Sequence, residues 1–177
     1  MLEVWANLDL YTPLAGVPEA ARRAERMGYD ALCVPDLVHD GIAAATLAAQ
    51  ATERIRITWS ALIAFPRSPM TVAVAAWDLQ AFSGGRFALG LGPQIRPMIQ
   101  DRFSTPWTPP APRMREYVAA LRAIFDCWQN RTPLHFEGEH YRFTRMQAYT
   151  SPPPIEHPDI PIRLAGIGPV SYTHLRA

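Results

Sequence analysis

The amino-acid sequence predicts an α/β fold, in which a parallel β-sheet is covered by helices. Short apolar runs typical of buried strands alternate with segments whose apolar residues recur every three or four positions. Neighbouring parallel strands need a crossover, which the intervening helices supply. The chain has 177 residues, of which 49% are hydrophobic and 19% charged, enough for a sizeable core. This order leaves two architectures open, a doubly wound open sheet and an eight-stranded barrel.

The strands are expected where apolar residues form short unbroken runs. The first covers "EVWANLDL", and the third lies within "RIRITWSALIAF", whose apolar content suits burial on both faces. We predict five parallel strands, beginning near Glu3, Ala31, Ile57, Phe87 and Ile162.

The helices are expected between these strands. Ser68 and Pro69 are a good N-cap and first-turn pair, and Gly28 ends the first helical pattern. The four predicted helices run approximately over residues 17–27, 42–52, 68–82 and 114–128. A small hairpin is predicted at 133–143, and the proline-rich "SPPPIEHPDIP" is interpreted as a surface connection that does not pack.

Two glycine pairs flank the fourth strand. Gly84-Gly85 lets the preceding helix end in a left-handed conformation. Gly90 and Gly92 lie at the carboxyl end of the strand, where the missing side chains would let a ligand approach the backbone. Because no third glycine follows, the dinucleotide-binding fingerprint fails, which favours the barrel over the open sheet.

Charge and cysteine usage exclude several classes of function. The net charge is +1 and the 17 basic residues, all arginine, are scattered, so no nucleic-acid or anionic-membrane surface is predicted. The chain has no signal-peptide pattern and no membrane span, and we expect a cytoplasmic protein with a small-molecule partner. Cys33 and Cys127 lack the spacing of a zinc or redox site, so we expect buried thiols and no metal.

The run "SPMTVAVAAWDLQAFSGGRFALGLGPQ", with "AFPR" before it and "RMREYVAALRAIFDCWQ" after it, resembles the luciferase-like monooxygenase superfamily, in particular its branch of coenzyme F-420-dependent oxidoreductases. The resemblance implies a TIM-type (β/α) barrel with the cofactor at the carboxyl ends of the strands. Five of the eight strands are found here. We therefore expect a partial barrel, with residues 1–170 the N-terminal part of one domain and "SYTHLRA" (171–177) a non-native tail.

The resemblance makes His39 the candidate catalytic residue. In related deazaflavin enzymes a histidine near this point contacts the cofactor and can donate a proton, which suits an imidazole near neutral pH. The alternative is a histidine that caps a helix or faces solvent. Asp36 and Asp40 could orient His39 or bind substrate, but Asp40 precedes a helix, where aspartate is a favoured N-cap.

The remaining site predictions concern the cofactor. By resemblance, the Ser60–Ala61 peptide bond is expected to be cis and to press against the central ring, although an ordinary buried strand is the alternative. Gln94 could donate its amide to a ring carbonyl, and the glycines after the fifth strand could bind a phosphate. The predicted cofactor-binding residues are Asp36, Ser60, Ala61, Gly90, Gly92, Gln94, Gly166 and Gly168.

The function implied is hydride transfer between F-420 and a small organic substrate. The first alternative is an FMN-dependent monooxygenase on the same fold, and the second is a non-catalytic cofactor-binding protein or an inactive truncated fragment. We expect the full-length enzyme to be a homo-oligomer. A partial barrel leaves strand edges uncovered, so the 177-residue chain should bind F-420 weakly and associate through the open edge.

Overall fold

A computed structural model of the chain describes residues 2–166. Strands and helices alternate along it, as the apolar periodicity predicts. The helices are α1 (Val17–Arg26), α2 (Gly41–Ala51), α3 (Pro69–Phe82) and α4 (Pro110–Asn130). The strands are β1 (Trp5–Asn7), β2 (Ala31–Val34), β3 (Arg56–Trp59), β4 (Leu62–Ile63), β5 (Phe87–Gly92), β6 (Phe136–Glu137), β7 (Arg142–Phe143) and β8 (Ile162–Leu164).

The main sheet is parallel throughout. β1 pairs with β2, β2 with β3, and β5 with β8 on its other side. β3 and β4 pair with successive parts of β5, through Ile57↔Phe87 and Leu62↔Leu91, so they are two halves of one interrupted strand. The sheet therefore has five parallel strands in the order β1, β2, β3/β4, β5, β8, which confirms the prediction of five. It is not closed among the described residues, as expected of a partial barrel.

The two faces of the sheet have different characters because side chains alternate along a strand. Leu32, Ile57, Trp59, Phe87 and Leu89 belong to the hydrophobic core that the sheet shares with the helices. Apart from Trp5, the opposite face carries small or polar residues from the same strands, namely Asn7, Ala31, Cys33, Thr58, Ala88, Gly90 and Arg163. The apolar face holds the helices against the sheet, and the polar face is its concave inner side.

Local signals place the helix ends as predicted. The Ser68 hydroxyl accepts from the Met70 N–H at 3.2 Å, and the Asp40 carboxylate accepts from the Ala43 N–H at 2.8 Å. Gly84 and Gly85, after α3, have φ of +62° and +84°. Side chains rarely adopt this left-handed conformation, so the glycine pair lets the chain turn directly into β5.

Two expectations about the chain outside the helices are wrong. The first strand ends at Asn7 rather than Leu10, because Asp9 begins a turn and its carboxylate accepts from the Tyr11 N–H at 2.8 Å. The proline-rich connection packs: Ile160 is only 3% exposed, and the Trp77 indole donates to the Pro153 carbonyl at 3.1 Å. Tertiary hydrogen bonds compensate for its low apolar content.

The predicted hairpin is present as β6 and β7, which pair antiparallel. It is attached to α4 by Glu116, whose carboxylate accepts backbone N–H groups of Glu139, His140 and Tyr141. Cys33 and Cys127 are buried free thiols, as expected. None of the described helices combines the length and hydrophobicity needed to cross a membrane.

Candidate functional site

A cleft of about 580 Å³ opens at the carboxyl end of the sheet. The loops that follow β2, β3, β5 and β8 all contribute to it, because parallel strands end at the same edge. Its lining residues are Asp36, Leu37, Ser60, Ala61, Ile63, Gly92, Pro93, Gln94, Ile95, Arg96, Trp107, Pro110 and Ala165. A cleft at this edge is where α/β barrels place their active sites.

The interruption between β3 and β4 forms part of the cleft wall. The Ser60–Ala61 peptide bond there is cis, as the family resemblance leads us to expect. The Ser60 N–H donates to the Val34 carbonyl at 2.8 Å, which ties the interruption to β2. Burial raises the pKa of the Cys33 thiol, while a hydrogen bond with the Ser60 side chain and the charge of Arg163 oppose that rise. Ser60 therefore joins the cleft to the polar inner face of the sheet.

Small residues form the floor of the cleft. A Cβ atom built on Gly92 would lie 3.4 Å from the Ala61 Cβ and 3.6 Å from the Ala165 Cβ, which is ordinary van der Waals contact. Gly92 is thus not required by packing, and it adds no side chain between the two alanines. That Gly92 lets a ligand approach the backbone stays a prediction.

Gly90 has a different reason for being glycine. It does not line the cleft, and a Cβ atom there would overlap the Trp59 carbonyl oxygen. The backbone of β5 approaches β3 closely at the point where β3 ends. The geometry therefore gives Gly90 a packing role, which the sequence pattern could not distinguish from ligand access.

Asp36 lines the cleft, but its carboxylate is already engaged. Oδ1 accepts from the Gly41 N–H at 3.0 Å and Oδ2 from the Ile63 N–H at 2.9 Å. The Arg67 guanidinium binds both oxygens, at 2.7 Å and 3.2 Å. Asp36 is 5% exposed and thus couples the start of α2 to β4. Sequence reasoning missed this pairing, because Asp36 and Arg67 lie far apart along the chain.

His39 and Asp40 lie on the loop between β2 and α2. Asp40 is the N-cap of α2, as expected, and its Oδ2 also lies 3.5 Å from Arg67. His39 is half-buried and is not among the residues lining the cleft, although Leu37, two residues earlier, is. The structure thus brings His39 to the correct end of the sheet but not into the cleft wall.

The loop after β5 forms one side of the cleft. Gln94 has a φ of +60°, which is unusual for a residue with a side chain and is often found at functional sites. The loop continues into a short π-helix (Met98–Arg102), where Ile99 is fully buried. The Arg102 guanidinium donates to the Leu37 carbonyl at 2.7 Å, which joins this loop to the one after β2.

The proline-rich segment before α4 forms another side of the cleft. Trp107 contacts Phe65 edge to face, with ring centroids 6.4 Å apart. Arg113 stacks over the Phe65 ring at 4.3 Å and donates to the Phe65 and Pro106 carbonyls, both at 3.2 Å. Sequence reasoning did not include Trp107 among the site residues, because nothing in its local sequence marks it as a cleft residue.

The structure brings together five of the predicted cofactor-binding residues. Asp36, Ser60, Ala61, Gly92 and Gln94 line one cleft. Gly166 follows Ala165 at the same end of the sheet, whereas Gly168 lies outside the described residues. Sequence reasoning missed several apolar lining residues, although Ala165 could have been found because it directly follows β8, and Leu37 because it lies on the loop after β2. Within residues 2–166, no three His, Cys, Asp or Glu side chains are grouped as metal ligands.

Related sequences place the chain among enzymes of one family. The luciferase-like monooxygenase family matches residues 2–173. An uncharacterized protein of Mycobacterium tuberculosis is 46% identical over 155 residues, which cover 88% of this chain and 46% of that protein. A proposed coenzyme F-420-dependent oxidoreductase of the same organism is 33% identical over 126 residues, covering 67% of this chain and 35% of that protein. The chain thus spans about half the length, or less, of these relatives.

Solved structures share the fold at low sequence identity. The coenzyme F-420-dependent tetrahydromethanopterin reductase of Methanopyrus kandleri superposes with a TM-score of 0.79 at 19% identity, over 98% of this chain and 52% of that one. The oxygenating constituent of 3,6-diketocamphane monooxygenase of Pseudomonas putida, in complex with FMN, has a TM-score of 0.73 at 16% identity, over 93% and 52% of the chains. With the family match over most of its length, the chain belongs to the luciferase-like monooxygenase family.

Proposed function

We propose that the cleft binds the deazaflavin coenzyme F-420 and that the protein is an oxidoreductase transferring a hydride between this coenzyme and a small organic substrate. The observation that carries the proposal is that Gly92, which has no side chain, lines the cleft between the small residues Ala61 and Ala165. A planar ring can lie on such a surface only if no side chain projects from its centre. The 33% identical relative supports F-420 as the coenzyme.

The cleft suits a ring system of this kind. Its volume of about 580 Å³ lies within the usual range for small-molecule and cofactor sites. Most lining residues are apolar, and a few polar groups from Ser60, Gln94 and Arg96 are placed among them. When bound, the coenzyme supplies the hydride chemistry, while the protein provides binding, orientation and protons.

We assign the protein groups the following roles. Gln94 donates its side-chain amide to a ring carbonyl, since that amide has no hydrogen-bond partner within residues 2–166. Asp36 acts through its contacts with Arg67 and Ile63, which hold the wall of the cleft. His39, which lies at the same end of the sheet but outside the cleft wall, is the proposed proton donor. Backbone N–H groups at Gly166 and Gly168 are the proposed phosphate contacts.

Titration of the purified protein with F-420 and with FMN, followed by fluorescence, tests the choice of coenzyme. We expect tighter binding of F-420, and weaker binding in Gly92→Val because the isopropyl group occupies the floor. The matched control is Val74→Ala, a change on the exposed side of α3. Preference for FMN, or equal binding by Gly92→Val and the control, would contradict the proposal.

An FMN-dependent monooxygenase is the second candidate, because a structural neighbour contains FMN in the same fold. The two candidate enzymes can be distinguished by producing the protein in a host that supplies both F-420 and FMN and identifying the cofactor that the purified protein retains. A two-band flavin absorbance spectrum would favour the monooxygenase, and a deazaflavin spectrum would favour the proposed oxidoreductase.

The variant His39→Gln distinguishes either enzyme from a non-catalytic binding protein. If His39 is a catalytic proton donor, its replacement should lower turnover about 100-fold or more without changing coenzyme affinity.

A further inference from the structure

Arg96 is an exposed cation at the mouth of the cleft, on the loop after β5. It forms no hydrogen bond, ion pair or ring contact with any residue in the part of the chain from 2 to 166. The other arginines around the cleft are engaged: Arg67 binds Asp36, Arg102 binds the Leu37 carbonyl, and Arg113 binds the Phe65 carbonyl. Arg96 therefore differs from its neighbours in having a guanidinium available to a ligand.

The carboxylates near the cleft do not neutralise Arg96. Asp36 is bound by Arg67 and by two backbone N–H groups. Asp40 binds the N-terminus of α2 and lies near Arg67. Asp101, on the same loop as Arg96, forms no ion pair with it. The positive charge at the mouth of the cleft is thus left for an external group.

The surfaces beside Arg96 are apolar. Leu37 and Ile95 line the cleft although they are 38% and 62% exposed, and the Trp107 ring lies on another side. Exposed apolar side chains grouped around a cleft are typical of a ligand-binding surface. A ligand that satisfies both features has an apolar body and an anionic group.

The loop that carries Arg96 is held in place from both sides. Ile99 is fully buried, its N–H donates to the Ile95 carbonyl at 3.1 Å, and Arg102 connects the loop to Leu37. The backbone position of Arg96 is therefore set before a ligand arrives, which reduces the entropy lost on binding.

We propose that Arg96 binds the anionic group of the substrate, and that the substrate class is apolar organic acids, with a carboxylate or a similar anion at one end. The apolar body contacts Leu37, Ile95 and Trp107, and the anion lies at the mouth of the cleft. This inference rests on the proposed function, because it assumes that the substrate binds in the cleft beside the coenzyme.

Two fluorescent probes with the same aromatic body test the charge preference. 8-Anilinonaphthalene-1-sulfonate carries an anion, and N-phenyl-1-naphthylamine is its neutral counterpart. We expect Arg96→Gln to weaken binding of the sulfonate about fivefold, as for one exposed ion pair, and to leave the neutral probe unaffected. Added salt should reproduce part of the loss in the unchanged protein. The control is Arg145→Gln, which removes the same charge from an exposed residue outside the cleft.

Equal effects of Arg96→Gln and Arg145→Gln would overturn the proposal, because only net charge would then matter. An equal loss for both probes would also overturn it, since it would indicate a packing effect. Titration with FMN and with riboflavin, which lacks the phosphate, tests whether Arg96 binds the cofactor instead. If Arg96→Gln weakens binding of FMN but not of riboflavin, the anion that Arg96 binds is the cofactor's phosphate and not part of the substrate, and the proposal is overturned. These readouts need neither F-420 nor turnover, so they can fail while the proposed function holds.

Discussion

The guanidinium of Arg163 on β8 lies over the indole ring of Trp5 on β1, with 4.0 Å between its Cζ atom and the ring centroid. These two strands are the first and last of the five-stranded sheet. In a flat sheet, strands four positions apart are separated by roughly 19 Å, and their side chains point in parallel. The contact therefore shows that the sheet is curved, with its inner face concave, as in part of a barrel.

Replacing Arg163 tests whether this contact stabilises the curved sheet. We expect Arg163→Met to lower the free energy of unfolding by about 0.5 to 1 kcal/mol through loss of the cation–π interaction. Urea denaturation followed by circular dichroism measures the change, with Arg145→Met as the exposed control. If the guanidinium were only an unpaired charge removed from water, the same replacement would stabilise the protein instead.

Alanine at the two glycines of β5 should have opposite consequences. Gly90→Ala places a Cβ atom on the Trp59 carbonyl oxygen, so we expect a loss of about 3 kcal/mol or more of stability, or failure to fold. Gly92→Ala meets only ordinary contacts and should keep its stability while binding F-420 more weakly. Thermal unfolding and fluorescence titration separate the two effects. A stable Gly90→Ala protein would show that β5 does not approach β3 as described.

The two aspartates after β2 should also differ. Asp36→Asn leaves Arg67 without its buried carboxylate, and removing one partner of such a pair costs about 3 kcal/mol. Asp40→Asn should be nearly neutral, because asparagine caps a helix about as well as aspartate does. Chemical denaturation of both variants is the measurement. Similar losses in the two would indicate that Asp40 also depends on its charge.

The environment of Glu25 indicates that the protein loses stability at acid pH. Burial tends to raise the pKa of its carboxyl, but hydrogen bonds from the Ile55, Arg54 and Glu53 N–H groups outweigh burial and lower the pKa below 4.5. The folded carboxylate therefore holds fewer protons than the unfolded one, so this stabilisation is present above about pH 4.5 and is lost as pH falls through the folded pKa.

Glu25→Gln should accordingly lower stability at neutral pH and flatten its decrease on acidification. Denaturation at several pH values between neutrality and about pH 3 measures this slope. The control is Glu156→Gln, which replaces an exposed carboxylate that has no hydrogen bond or ion pair among residues 2–166. An unchanged slope in Glu25→Gln would mean that other carboxyl groups cause the acid sensitivity.

Much of the fold could be predicted because its signals are local. The apolar runs of β2 and β5, the caps at Asp40 and Ser68, and the left-handed pair Gly84-Gly85 each act within a few residues. Parallel pairing then follows from the alternation of strand and helix, and it places the strand ends together at one edge. It predicts that Ser60, Gly92 and Gln94 lie at this edge, whereas only the structure shows which residues at this edge line the cleft.

The sequence by itself determined the order and type of the elements, the helix caps and the edge of the sheet at which the site lies. Only the tertiary structure decided which distant residues meet. Asp36 binds Arg67, and Arg163 lies over Trp5. Gly90 is glycine because a Cβ atom there would overlap the Trp59 carbonyl oxygen, and not because a ligand approaches it. Backbone periodicity is set by neighbouring residues, whereas side-chain partners depend on the curvature of the sheet and the register of its strands, which no short stretch of sequence encodes.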